Sequence, residues 1–322
     1  HMVRTIAGVT NARSLSGSYF LSGEVVDASV MRVDGATVLP SAGHVLGLFG
    51  PLALRTHGTG YEVVDVSSSP LAAVGSVTFG HCTGTSFAAV GIWGDWVLAQ
   101  DSDTGGTVVL NYRDTTKCYH HTGAPRAIGE GFALITPLDA NSNEQLVAWN
   151  FLTPNGITDV LASSPSLVAT DGWRTVAWTT ATQLSKANIG DEVATTPGAP
   201  RVLGILADPA VPSGSTWKLD VDASKGLQES GLGLEISNGD DVVRRIPVPD
   251  APNGSVRLTW DGKLESGEPA PPGNYAWALH VNASDNSGAL VNTDGSPMVT
   301  GLFAVGDPLP LVTAGTATLS MT

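Results

Sequence analysis

The sequence predicts an all-β protein in two parts, about five propeller-type four-stranded repeats followed by a β-sandwich. Three observations carry this. Glycine and proline are abundant, at 38 and 20 of 322 residues, while only 14% are charged, the composition of many short strands and tight turns. A Gly-turn-strand pattern recurs five times before residue 206. After it, apolar and polar residues alternate with period two.

The length exceeds what one hydrophobic core usually organises, so two domains are expected. An apolar content of 42% and a mean hydropathy of +0.11 support buried cores and exclude a disordered chain. His1 and Met2 read as a cloning remnant and take no part in the fold. No run of about 18 apolar residues is present, so no transmembrane segment is expected, and any export signal is taken to be already removed. The expected location is therefore secreted, extracellular or cell-wall associated. A net charge of −14, with no Lys/Arg cluster to neutralise successive phosphates, makes nucleic acid a poor partner.

The repeat rests on five segments: Leu15–Leu21, Leu48–Leu54, Ile92–Leu98, Gly129–Ile135 and Thr170–Val176. Each places a glycine (Gly17, Gly50, Gly94, Gly131, Gly172) just ahead of a β-prone run, at steps of 33, 44, 37 and 41 residues. That is the length of one four-stranded propeller blade. Further strands are expected at Ser29–Val33, Tyr61–Val66, Thr107–Tyr112 and Gln145–Asn150. Gly-Ala-Pro-Arg-Ala-Ile-Gly at 123–129 also returns 75 residues later as Gly-Ala-Pro-Arg-Val-Leu-Gly at 198–204. The repeat domain is therefore expected over residues 3–206. Five repeats admit several closures: a ring completed by the N-terminal strand or by Leu311–Leu319, a piece of a longer propeller, or a second chain that completes the propeller.

The Pro/Gly/Ser-rich stretch Ala207–Ser215 reads as a linker, and a sandwich is expected over 207–306, with a strand or tail at 307–322. Trp217, Leu219 and Val221 alternate with polar residues. So do Leu232, Leu234 and Ile236, then Val256, Leu258 and Trp260, and most clearly Tyr275, Trp277, Leu279 and Val281. Such alternation makes half-exposed antiparallel strands, and Asn238-Gly239-Asp240 supplies a tight turn between two of them.

Within this stretch, Trp260-Asp-Gly-Lys263, Gly267, Pro271-Pro-Gly-Asn-Tyr275 and Asp285-Asn-Ser-Gly288 resemble the FlgD Ig-like module, named after the flagellar hook-capping protein. The resemblance covers roughly residues 208–306 and implies an Ig-like sandwich with a structural role, in which Trp260 and Tyr275 are core and turn residues. The repeats followed by this module resemble secreted actinobacterial proteins that join a propeller to a FlgD-type Ig domain. Nothing flagellar lies upstream, so no role in hook assembly is carried over.

Cys82 and Cys118 are the only cysteines, and an even pair in an exported chain is expected to form a disulfide. The competing chemistry is zinc, since His81, His120 and His121 lie beside the two thiols, but neither cluster has an established ligand spacing. Gly80-His81-Cys82 and Asp101-Ser-Asp-Thr-Gly-Gly106 faintly echo trypsin-like motifs. They are rejected, because the serine string is broken and the pieces lie about 20 residues apart. Asp101, Asp103, Asp139, Asn141 and Asn143 offer oxygen ligands for calcium, yet no twelve-residue calcium loop is completed, and Asx turns explain them. No phosphate-binding glycine loop occurs. No cofactor, metal or catalytic residue is therefore assigned.

Trp93, Trp96, Trp149 and Trp173 are candidate binding aromatics on the repeats, against the ordinary expectation that blade aromatics pack between sheets. A rigid scaffold that presents its loops on one face usually serves recognition. The expected function is a non-catalytic extracellular binding protein that takes a protein or glycan ligand at the loop face. The alternatives are a secreted protease inhibitor or regulator and a polysaccharide-acting propeller enzyme.

Overall fold

The computed structural model describes residues 14–17, 19–22, 29–32, 37–39, 44–67, 70–153, 156, 158–173, 175–189 and 198–306. The N-terminal strand expected over 3–12 and the strand or tail at 307–322, with Leu311–Leu319, lie outside them. All regular elements among the described residues are strands, so no helix there is long and apolar enough to cross a membrane.

Upstream, the strands form five antiparallel meanders in chain order. The first joins β1 (Ser14–Ser16), β2 (Tyr19–Ser22), β3 (Ser29–Arg32) and β4 (Thr37–Leu39). The second joins β5 (Val45–Phe49), β6 (Leu52–His57), β7 (Gly60–Asp65) and β8 (Ala72–Val77). The third holds β9 (Phe87–Trp93), β10 (Trp96–Asp101), β11 (Thr107–Asn111) and β12 (Cys118–His121). The fourth holds β13 (Ala124–Ile128), β14 (Phe132–Thr136), β15 (Gln145–Asn150) and β16 (Thr158–Ser163). The fifth has three strands among the described residues, β17 (Val168–Thr170), β18 (Thr175–Thr179) and β19 (Leu184–Asn188).

The five marker glycines occupy one structural position. Each lies in the turn between the first and second strands of its sheet, with φ between 54° and 77°. This is left-handed backbone that side chains rarely adopt, which is why glycine recurs there.

Four cores lie between consecutive sheets. Leu98 and Val109 of sheet three pack with Ala133, Ile135 and Val147 of sheet four, while Val97, Ala99, Val108 and Leu110 face sheet two. Phe132, Leu134, Leu146 and Ala148 then meet Val176 and Trp178 of sheet five. Sheets covered on both faces need apolar residues at every position, so β11 and β14 are buried throughout and show no period-two alternation. Residues of all five sheets, among them Gly17, Leu46, Val90, Ile128 and Asp171, line one cavity of about 560 Å³ together with Leu203, Asp222 and Ser255 of the sandwich.

Downstream, β20 (Val202–Ala207), β21 (Ala210–Val211), β22 (Trp217–Ala223), β23 (Leu227–Asn238), β24 (Asp241–Ile246), β25 (Ser255–Trp260), β26 (Gly273–Ala283) and β27 (Val299–Val305) build a two-sheet sandwich. One sheet runs β20-β22-β25 and the other β21-β27-β26-β23-β24. Residues 202–206, counted above with the repeats, thus pair with β22, and the expected linker contains β21.

The alternating residues fill this core, including Trp217, Leu219, Val221, Val256, Leu258, Trp260, Tyr275, Trp277, Leu279 and Val281. Leu232 does not follow its pattern and is 51% exposed. A register shift between Glu229 and Gly233 turns it out of phase with Leu234 and Ile236. Gly239 and Asp240 form the two-residue turn between β23 and β24.

Candidate functional site

The end of the repeat array that carries the five glycine turns meets the sandwich through residues 198–203, the second copy of the Gly-Ala-Pro-Arg string. A Cβ on Gly50 would lie 2.8 Å from the Leu203 backbone, so this approach requires glycine. Neighbouring turns are also tied to one another. Gly50 N donates to Ser16 Oγ at 2.8 Å, and Glu130 N donates to Gly172 O at 2.7 Å.

Two charged groups anchor the junction. Arg201 donates from both Nη atoms to the two carboxylate oxygens of Asp95 at 3.0 and 2.9 Å, and Arg113 Nε adds a third bond to Asp95 at 2.9 Å. Burial acts to raise the Asp95 pKa, but the two guanidinium groups outweigh it and hold the carboxyl below its ordinary range.

The second anchor is Lys225, whose side chain is 0% exposed. Its Nζ contacts Glu130 Oε2 at 2.9 Å and Asp285 Oδ2 at 3.2 Å, and donates to Gly198 O at 2.6 Å and Ser287 Oγ at 3.0 Å. Four acceptors for three protons leave the ammonium fully paired, as a buried charge requires. Glu130 Oε1 also accepts from Gly198 N at 2.7 Å. Burial pushes the Glu130 carboxyl above its usual range despite Lys225. Asp285 goes the other way: burial raises it, but hydrogen bonds from Ser287 and the charge of Lys225 bring it below the usual range.

Between the anchors lies a cavity of about 390 Å³, lined by Trp93, Asp95, Trp96, Glu130, Arg201 and Ser224 among others. Two of the four candidate aromatics therefore border it. Trp93 packs edge-on against Phe49 at 5.0 Å, and Trp96 lies 5.0 Å from Phe151 and 5.8 Å from Tyr119. Trp149 is buried between sheets three and four, in the packing position expected of a blade aromatic. Trp173 is half-buried beside the turn of sheet five, and its backbone N–H donates to Asp171.

Cys82 and Cys118 are joined by a disulfide across 36 residues, linking the loop between β8 and β9 to β12. His120 Nε2 lies 3.5 Å from Cys118 Sγ, but the two sulfurs that zinc would need are bonded to each other. Peptide mapping without reductant should recover one peptide pair joined through these residues. Replacing both by serine should cost about 4 kcal/mol on the chain-entropy account. Two free thiols, or stoichiometric zinc, would overturn the assignment.

The oxygen-rich turns serve their own backbones. Asp101 accepts from Asp103 N and Thr104 Oγ1, and Asp139 accepts from the N–H groups of Asn141 and Asn143.

Arg201 was visible only as part of a repeated string, and Asp95 only as the residue between two tryptophans. Asp285 was visible only as the first residue of the Asp285-Asn-Ser-Gly288 motif and Glu130 only inside a repeat segment, while Lys225 carries no local signal, since a lone Lys between Ser224 and Gly226 reads as a surface turn.

The comparisons with known proteins bear on the sandwich. Residues 214–287 match the FlgD Ig-like domain. Trp260, Tyr275 and Asp285 lie inside this match, as does Lys225, so the FlgD Ig-like domain supplies one side of the buried ion cluster. No curated protein matches the chain by sequence. Among solved structures it is similar to PorZ, described as an essential bacterial surface component of the type-IX secretion system of Porphyromonas gingivalis, at 13% identity and a TM-score of 0.30. The match covers 93% of this chain and 51% of PorZ, so the chain spans about half the length of that protein.

Proposed function

We propose that the chain is a non-catalytic extracellular binding protein. In this reading the five sheets are propeller blades around the cavity they all line, and a glycan or protein ligand sits at the loop face, beside Trp93 and Trp96. The junction cavity carries the reading. It sets two indole rings beside carboxylate, guanidinium and hydroxyl groups, the mixed apolar and hydrogen-bonding lining of a recognition site. The five meanders in series, their inter-sheet cores and one cavity common to all of them support the propeller. The disulfide supports an oxidising, extracellular setting.

A specific observation also favours a second reading, a polysaccharide-acting enzyme. Asp95 and Glu130 border the same cavity with carboxyl groups shifted in opposite directions, as in a base and acid pair. Both are engaged by cations, which favours the binding role.

A glycan array and a protease panel, run with the purified chain and with Trp96→Ala, separate the readings. Saturable binding that the substitution weakens by about tenfold or more, with no product released, is the expected result. Binding indifferent to Trp96 would remove the cavity from the reading. Release of reducing sugar that Glu130→Gln abolishes would replace it with the enzyme, and protease inhibition would replace it with a regulator.

A further inference from the structure

The loop between β8 and β9 meets the edge strand β12 at a disulfide with an imidazole seated on it. Cys82 Sγ, Cys118 Sγ and a ring nitrogen of His120 all lie within 4.8 Å of one another. Cys118 and His120 stand two positions apart on β12, so their side chains share one face of the strand. His120 Nε2 approaches Cys118 Sγ to 3.5 Å and Thr83 Oγ1 to 3.3 Å. His121, one position on, takes the opposite face, where its ring lies 5.1 Å from that of Trp149.

Two thiolates and one imidazole are a ligand set for tetrahedral zinc with one position left open. Oxidation withholds both sulfurs from a metal, and reduction returns them. The two Cα atoms are 5.6 Å apart, so rotation of the side chains suffices to set both sulfurs about 2.3 Å from one ion. The Asp101 carboxylate lies close enough to act on His120, which adds negative charge beside a cation. His120 is exposed and Cys118 half-buried, so the ion has a path in from solvent.

We propose that the Cys82–Cys118 disulfide is the oxidised state of a zinc site, which Cys82, Cys118 and His120 form once an external dithiol has reduced the bond. One thiolate of the dithiol bonds to one cysteine sulfur and releases the other; its second thiolate then displaces the first, and the reagent leaves as its own disulfide. The cysteine pair gains two electrons and the two protons that the dithiol gives up. Zinc next binds both sulfurs as thiolates and sends those two protons to solvent, with His120 Nε2 as third ligand and water as fourth. Disulfide and zinc are thus successive states of one cluster. The ion restores the tie between the β8–β9 loop and β12 that reduction removes.

Zinc titration of the full chain tests it, after reduction by a dithiol and removal of the reagent under nitrogen. The expected result is one zinc per chain, two protons released per ion, and a reduced chain that melts at a higher temperature with zinc than without. Cobalt in place of zinc should show the thiolate-to-metal charge-transfer absorption of a two-sulfur site. His120→Ala should weaken uptake by about tenfold or more, since loss of an outer-shell partner alone costs that much. The oxidised chain, and the reduced chain carrying Cys82→Ser with Cys118→Ser, should take up none. The proposal is overturned by a reduced chain that binds no zinc, by equal uptake in the oxidised chain, by uptake that His120→Ala leaves unchanged, or by a reduced chain that unfolds and is not restored by the ion. Should the double serine variant not fold, His120→Ala, which keeps both cysteines, decides.

Discussion

Lys225→Ala is expected to destabilise the protein by about 3–5 kcal/mol, the scale on which removing one partner strands a buried ion cluster. The substitution leaves Glu130 without its cation and leaves the Gly198 carbonyl without its donor. Because Glu130 sits in the turn between β13 and β14 while Lys225 and Asp285 belong to the sandwich, the loss falls on the junction. Thermal unfolding should split into two steps, with the FlgD Ig-like domain melting apart from the repeats. A single transition near the parent temperature would show that the cluster does not couple them.

The two anchors of the junction set the sign of a pH response. Asp285 and Asp95 titrate below their ordinary values when folded, so their contribution is fully present above the unfolded value of about pH 4 and is lost as pH falls through the lowered values. Glu130 is raised, so the folded chain takes up its proton first and mild acid relieves part of its burial cost. Stability of the junction should therefore hold or rise slightly on acidification towards pH 4 and fall only below it. Unfolding midpoints recorded across this range check the order, and a decline beginning near neutrality would contradict it.

Trp260→Ala should cost about 3–5 kcal/mol, the range for emptying a large aromatic site in a core. The indole is 0% exposed, lies 5.5 Å from the rings of both Tyr275 and Phe303, and donates from Nε1 to Lys263 O at 2.7 Å. The change opens a cavity and strands that carbonyl. Trp260→Phe should recover part of the loss by refilling volume without restoring the hydrogen bond. Denaturant unfolding of the full chain measures both, and equal stability of the parent and Trp260→Ala would refute the packing role.

Local chemistry was legible in the sequence wherever one residue type alone can satisfy the backbone or the core. The five glycines mark the first turn of each sheet because a positive φ selects them, and the alternating runs around Trp217, Trp260 and Tyr275 mark strands buried on one face. The cysteine pairing was legible because the chain holds only two. The inner strands β11 and β14 show no alternation, since neighbouring sheets cover both faces, so glycine spacing was a better guide to them than hydrophobic period. Only the tertiary structure decided that residues 198–203 leave the repeats to dock on the glycine turns, and that Lys225 and Asp285 meet Glu130 about a hundred residues or more away in the chain. An ion pair depends on where two side chains arrive in space and leaves no periodic trace along the chain. The sequence by itself therefore determined the strands, turns and sandwich core, while the junction, where the candidate site lies, came from contacts between segments that carry no local signal of each other.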